Sequence, residues 1–217
     1  MNSTHTTPDT VPDYFGSRYV FDAGRARVWR AICEYLQRYI PETATVLDVG
    51  AGYCDFINQI KAGKKYAVDI DREAHKHCAE EVQFVHANLA DIDLPAESFD
   101  TIFASNLLEH LHDNELNVFF SQADKLLVTG GTLILIQPNI RYCYREYWDD
   151  FTHVRAFSNV SLSDLLVSRG YKVVKVEPRF LPFSFKSILP KTYWLTKLYL
   201  MLPFRPCAKQ MLIVGEK

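Results

Sequence analysis

The chain has no cysteine pair at metal-knuckle or redox-motif spacing. Its five cysteines, Cys33, Cys54, Cys78, Cys143 and Cys207, are odd in number and widely scattered. That excludes a zinc-finger or disulfide-built framework and predicts free thiols in a reducing compartment. Long apolar runs are missing too: none approaches the roughly 18 residues of a membrane-crossing helix. Met1 to Thr10 lacks the basic-then-apolar order of a signal peptide. Charge of one sign is not in excess, with 24 basic against 26 acidic residues and a net of -2, which argues against a broad nucleic-acid footprint. There is no low-complexity run and no repeat of fixed period. What is present is 217 residues, 48% apolar and 23% charged, enough for one continuous core. The expectation is a soluble, cytoplasmic protein.

Residues 1–23 read as a leader and entry segment, and 24–217 as the folded domain. Val28, Trp29, Ile32, Leu36, Tyr39 and Ile40 recur at helical spacing before Pro41. Strands are predicted at 45–49, 65–70, 83–87, 99–104, 132–137, 171–176 and 211–214, the fifth after a Gly130-Gly131 turn. Helical stretches fall between them, around Phe56 to Ile60, Glu73 to Glu80, Asn114 to Leu127 and Leu162 to Arg169, where Gly170 ends the last. Buried strands alternating with helices predict an α/β fold with a largely parallel sheet, whose functional residues collect at the strands' carboxyl ends.

Asp48-Val-Gly50-Ala51-Gly52-Tyr-Cys54 lies between the first strand and a helix. Glycines there permit a tight turn and close backbone approach, and the helix start offers free N–H groups. A dinucleotide-type GxGxxG loop wants a third glycine where Asp55 stands. A carboxylate at Asp48 suits a cationic ligand rather than a pyrophosphate. Asp69 closes the second strand, 19 positions after Gly50, which suits an acid gripping ribose hydroxyls.

With Val46-Leu-Asp-Val-Gly-Ala-Gly52 and Ala67-Val-Asp69-Ile-Asp71, the chain resembles the class I S-adenosylmethionine-dependent methyltransferases. The likeness continues through Asn88-Leu89, Leu94-Pro-Ala-Glu-Ser-Phe-Asp100 and Ser105-Asn-Leu-Leu-Glu-His-Leu111, and covers about residues 42–177. It implies a Rossmann-like sheet of seven mostly parallel strands flanked by helices, with a short helical insertion at 180–206 before the last strand. It also implies S-adenosylmethionine as cofactor. Asp48, Gly50, Ala51 and Gly52 would hold its methionyl part, Asp69 its ribose, and Ile70, Asn88, Leu89 and Asn106 would complete the cofactor site. The family's usual aspartate is Asn88 here, and a common third glycine of the loop is Cys54.

Acceptor chemistry is expected after the fourth and fifth strands. Asn106, Glu109 and His110 have the spacing of one face of a helical turn. Tyr142, Tyr144, Tyr147 and Trp148, followed by Asp149, Asp150 and His153, combine ring faces with acids and an imidazole. Such a set suits a sugar or phenolic acceptor. Trp148 is expected to cover the sheet edge. His153 is the expected base, oriented by Asp149 or Asp150, with His110 as competitor and Glu109 beside it. Glu109-His110 with a later histidine ahead of Phe157-Ser158 resembles a subgroup acting on small metabolites and cell-surface sugars. It is similar also to ubiquinone and small-RNA 3′-end methyltransferases, where E-x-x-E-H and a later histidine bind a divalent metal. Asn106 stands in place of the first glutamate, so a metal is not the favoured expectation.

From Pro178 to Gly215 the chain carries six basic residues and no acid, interleaved with apolar ones and prolines. Residues 183–206 are expected to form a lid, a homodimer face, or a peripheral contact at the inner face of a membrane. The reading is an O-methyltransferase of a sugar, glycolipid or other hydroxylated small molecule, as in polysaccharide biosynthesis. Its rivals are transfer to nitrogen or carbon, and a cofactor-binding regulator without turnover.

Overall fold

The computed structural model describes residues 24–182 and 192–217. The expected leader, and the part of the insertion at 183–191, lie outside the described residues. Seven strands among the described residues form one sheet: β1 Thr45–Val49, β2 Lys64–Asp69, β3 Val82–His86, β4 Phe99–Ser105, β5 Leu127–Pro138, β6 Lys172–Pro182 and β7 Ala208–Glu216. Their order is β3-β2-β1-β4-β5-β7-β6, with β7 antiparallel to both neighbours and the other pairs parallel. Chain direction across the sheet reverses between β1 and β4, and the carboxyl ends beside that point form the crevice where ligands bind such sheets.

The sheet is covered on both faces, and alternation along β5 shows how. Leu133 and Leu135 point to one cluster, with Phe119, Phe120 and Ala123 of α3 (Asp113–Leu126) and Leu162 and Leu166 of α5 (Asn159–Ser168). Ile134 and Ile136 point to the other, with Val28, Trp29, Ile32 and Leu36 of α1 (Gly24–Leu36) and Phe56 and Ile57 of α2 (Asp55–Gln59). Period-2 strands that are apolar on both faces require this two-sided cover. The short α4 (Ile140–Cys143) follows β5, and α6 (Tyr193–Met201) precedes β7 and packs on α1.

Several expected boundaries shift. The helix expected at Glu73 to Glu80 is a 3-10 turn, Arg72–His77, opened by the Asp71 side chain accepting from Glu73 N. Gly130 and Gly131 lie within β5, where their backbones pair with Lys217 at the chain's end. β6 runs on to Pro182, opposite Ala208, so the insertion begins after residue 182 rather than at 180. Strand pairing with β7 extends β6 beyond what local propensity shows.

The expectation of five free thiols is corrected. Cys54 and Cys78 form a disulfide with Cα atoms 5.4 Å apart, while Cys33, Cys143 and Cys207 are free. Cys54 caps the start of α2 and Cys78 ends the Arg72–His77 turn, so the fold brings together residues whose 24-residue separation gives no motif. The reading of a reducing compartment loses its footing, since it rested on unpaired cysteines. Closing a loop of this length restricts the unfolded chain and is worth about 3 kcal/mol. Urea unfolding with and without reductant should differ by that order; coincident curves would show that the bond adds nothing.

Candidate active site

The turn after β1 is built by backbone conformation. Gly50 and Gly52 have φ of 72° and 52°, and Cys54, at 55°, enters α2 from the same left-handed region. A Cβ on Gly50 would meet Leu107 Cδ1 at 3.1 Å, so both the conformation and the space favour glycine. Gly50 N and Ala51 N donate to Val68 O of β2 at 2.9 and 3.2 Å. Gly52 N donates to Asp69 Oδ2 at 2.7 Å, and Asp71 N to Asp69 Oδ1 at 2.8 Å. Asp69 is thus fixed at the crevice by two backbone donors, each oxygen keeping a further lone pair. Burial raises its pKa against the pull of those N–H groups.

Asp48 is buried beneath this turn. Burial holds its carboxyl well above the usual range, reinforced by Asp69 and Asp55 and opposed by the Ile57 backbone. A cationic ligand group would relieve it. Ile70, next to Asp69, exposes 69% of its surface and offers an apolar face over the crevice. Asn88 accepts from Ala90 N and Asp91 N and donates to Asp91, so its side chain caps the Leu89–Asp91 turn. Leu89 is half-buried and packs against the core. These features fit an adenosine-bearing cofactor with a cationic tail: a strand-end acid, an exposed apolar side chain, a close-approach glycine turn and a buried carboxyl group.

Across the crevice the expected face of Asn106, Glu109 and His110 is only partly formed. Asn106 sits apart with φ of 51°, accepting from Gln210 Nε2 at 2.7 Å, while Glu109 and His110 lie in the 3-10 turn Leu108–His110. His153 comes beside them from the segment after β5, its ring centroid 5.0 Å from that of His110. One ligand atom from each of Glu109, His110 and His153 falls within 4.8 Å of the others, a set that can hold a cation.

Hydrogen bonds define both imidazoles. His153 is buried and its Nδ1 lies 2.7 Å from Tyr147 O. A carbonyl only accepts, so Nδ1 carries the proton and Nε2 keeps a lone pair. The orientation expected from Asp149 or Asp150 is supplied to His153 Nδ1 by this carbonyl instead. His110 Nδ1 faces Thr152 O at 3.2 Å and Thr152 Oγ1 at 3.0 Å, and Thr152 Oγ1 donates to Asp150 Oδ1 at 2.6 Å. Asp150 therefore orients His110 through Thr152. Burial, then His153, holds His110 below the usual imidazole range. Burial pushes Glu109 up to about 8, so it is largely protonated at neutral pH, and its Oε2 has no hydrogen-bond partner among the described residues.

Trp148 does not cover the sheet edge: it is 59% exposed, as are Tyr144 and, at 71%, Phe151. The covering aromatic is Tyr147, fully buried, its hydroxyl donating to Arg155 O and its ring 4.5 Å from His153. Sequence reasoning also missed Thr152, whose role depends on a contact to His110 across 42 positions. It missed Gln137 as well, buried at the end of β5 with neither amide atom partnered among the described residues. A lone polar residue ending an apolar strand was the available signal.

An α/β sheet with this switch point, glycine turn and strand-end acid defines a nucleotide-cofactor fold of the methyltransferase kind. The methyltransferase-domain family profile matches residues 21–176. The chain belongs to that family and is a class I S-adenosylmethionine-dependent methyltransferase. It is 23% identical over 197 residues to the phosphoethanolamine N-methyltransferase of Plasmodium falciparum, covering 83% of this chain and 68% of the relative. It is 26% identical over 180 residues to a "Probable S-adenosylmethionine-dependent methyltransferase" of Mycobacterium tuberculosis, covering 78% and 65%. The chain thus spans about two thirds of the length of these curated relatives. Among solved structures, a SAM-dependent methyltransferase from Archaeoglobus fulgidus superposes with TM-score 0.62 at 20% identity, covering 87% of this chain and 94% of that one. The Burkholderia thailandensis 1,6-didemethyltoxoflavin-N1-methyltransferase, solved with bound 1,6-didemethyltoxoflavin and S-adenosylhomocysteine, gives a TM-score of 0.57 at 19% identity, covering 90% and 79%. These two share the fold.

Proposed function

We propose that the protein methylates an oxygen of a hydroxylated small molecule, of the sugar or glycolipid class. The observation that carries this is the imidazole pair, each ring held by a carbonyl at Nδ1 so that Nε2 keeps its lone pair. An alcohol must lose a proton as it is alkylated, and a positioned neutral imidazole takes it. S-adenosylmethionine supplies the electrophilic methyl on a sulfonium. Asp69 binds its ribose, the Gly50–Gly52 turn and Asp48 its methionyl part, with Ile70, Asn88 and Leu89 around the adenine. We assign the base to His110, the less buried ring and the one backed by Asp150 through Thr152. His153 packs beside it, and the exposed rings of Tyr144, Trp148 and Phe151 offer faces for an acceptor.

The names of two relatives favour a second reading, transfer to nitrogen. A panel of hydroxyl and amine acceptors with methyl-labelled cofactor, read by mass spectrometry, separates the two. Labelled O-methyl product is expected; labelled product from amines alone would replace the assignment. The same assay with chelator tests the cation-holding set. Turnover is expected to survive, and its loss would make Glu109, His110 and His153 metal ligands.

A further inference from the structure

The outer side of α6 is an apolar stripe that is exposed among the described residues. Trp194, Leu198 and Met201, at i, i+4 and i+7, are 74%, 59% and 73% exposed, and Phe204 beyond the helix is 64% exposed. The inner side does the packing. Tyr193 Oη donates to Glu34 Oε2 at 2.6 Å, Lys197 Nζ lies 2.9 Å from the same carboxylate, and Leu200 is buried in the core. The stripe is therefore no part of the α1–α6 contact.

Its surroundings are basic. Arg30 of α1 lies 4.9 Å over the Tyr193 ring with its side chain 65% exposed, and Arg38 is exposed over Tyr35 at 4.0 Å. By sequence, residues 24–40 hold four arginines, of which Arg25 is buried against Asp55, and one glutamate, while 178–215 hold six basic residues, of which Lys186 and Lys191 lie outside the described residues, and no acid. With a net of -2 for the whole chain, the remaining residues carry -11. The expected basic face is partly neutralised from within: Lys197 pairs with Glu34, Arg205 with Glu177 and Lys209 with Glu146. Arg30 shares the Glu34 carboxylate with Lys197, so these three side chains keep one net positive charge, and the exposed Arg38 beyond the end of α1 adds another.

We propose that the α1–α6 face seats on an anionic lipid surface, with Trp194, Leu198, Met201 and Phe204 in the interfacial layer and Arg30 and Arg38 toward headgroups. Exposed Trp and aliphatic side chains with neighbouring cations are the composition of an in-plane interfacial helix. No helix among the described residues is long and apolar enough to cross a membrane. Charge decides against a second copy. A two-fold interface sets the same patch against itself and brings the arginine borders together, whereas an anionic bilayer complements them. The proposal does not depend on which acceptor is methylated.

The full chain is floated with phosphatidylcholine vesicles and with vesicles also containing phosphatidylglycerol. Binding to the anionic vesicles alone is expected. It should be released toward 1 M salt, where screening shortens to about 3 Å. Combined Trp194→Ser, Leu198→Ser and Met201→Ser replacements should cut vesicle binding at least tenfold, with S-adenosylhomocysteine affinity and melting midpoint unchanged. Should that variant fold poorly, Arg30→Gln with Arg38→Gln tests the border and should weaken anionic binding several-fold. Absence of binding to either vesicle overturns the proposal. So does equal binding to both that neither variant changes. A dimer by light scattering that the stripe variant turns into a monomer would make the face a homodimer contact instead.

Discussion

His110→Ala is expected to slow methyl transfer to the true acceptor by about 10²–10⁴, the usual cost of losing a general base. S-adenosylhomocysteine affinity should stay within a few-fold. The size of the effect follows from the geometry. Asp150 and Thr152 hold Nδ1–H, so the lone pair of Nε2 has one fixed direction. Burial and the neighbouring His153 keep the ring neutral below the ordinary imidazole pKa, so the base is competent at neutral pH and turnover falls only on further acidification. Thr152→Val should show part of the loss, and Thr152→Ser should restore most of it. His153→Ala belongs in the same assay. A large loss there with none at His110 would exchange the roles of the rings. Full activity in both would leave them structural.

Asp69→Ala should lower S-adenosylhomocysteine affinity at least tenfold by calorimetry. Charge-assisted hydrogen bonds to ribose hydroxyls contribute about 1.5–3 kcal/mol each. The substitution also frees Gly52 N and Asp71 N, which Asp69 anchors at 2.7 and 2.8 Å, so the glycine turn keeps only its Gly50 and Ala51 bonds to Val68 O of β2. Asp69→Asn separates the two contributions. An amide oxygen can still accept from one of those N–H groups while the charge is gone, so an intermediate affinity is expected. Unchanged affinity in Asp69→Ala would remove this strand end from the cofactor site.

Asp69 is legible from the chain because a strand-end acid 19 residues past the first glycine is a local pattern repeated across a βαβ unit. His110 and His153 are visible as candidates but not as a pair. They are 43 positions apart in sequence, and their mutual distance depends on how the segment after β5 folds back over the turn after β4. That return is made by Val154 N and Arg155 N donating to Glu109 O, a contact with no signature in residue type or spacing.

The amino-acid order by itself determined the α/β alternation, the glycine turn, the two acids at the ends of β1 and β2, and the position of Glu109, His110 and His153 after β4 and β5. Each is a short-range property: side-chain periodicity, backbone freedom at glycine, or charge beside a turn. Only the tertiary structure decided the bond between Cys54 and Cys78, the link from Asp150 through Thr152 to His110, the burial of Tyr147 with Trp148 left outside, and the apolar stripe on α6. Those depend on which of several chemically equivalent neighbours a packed side chain meets. Packing selects among them through shape and desolvation summed over the whole core, which local sequence does not contain.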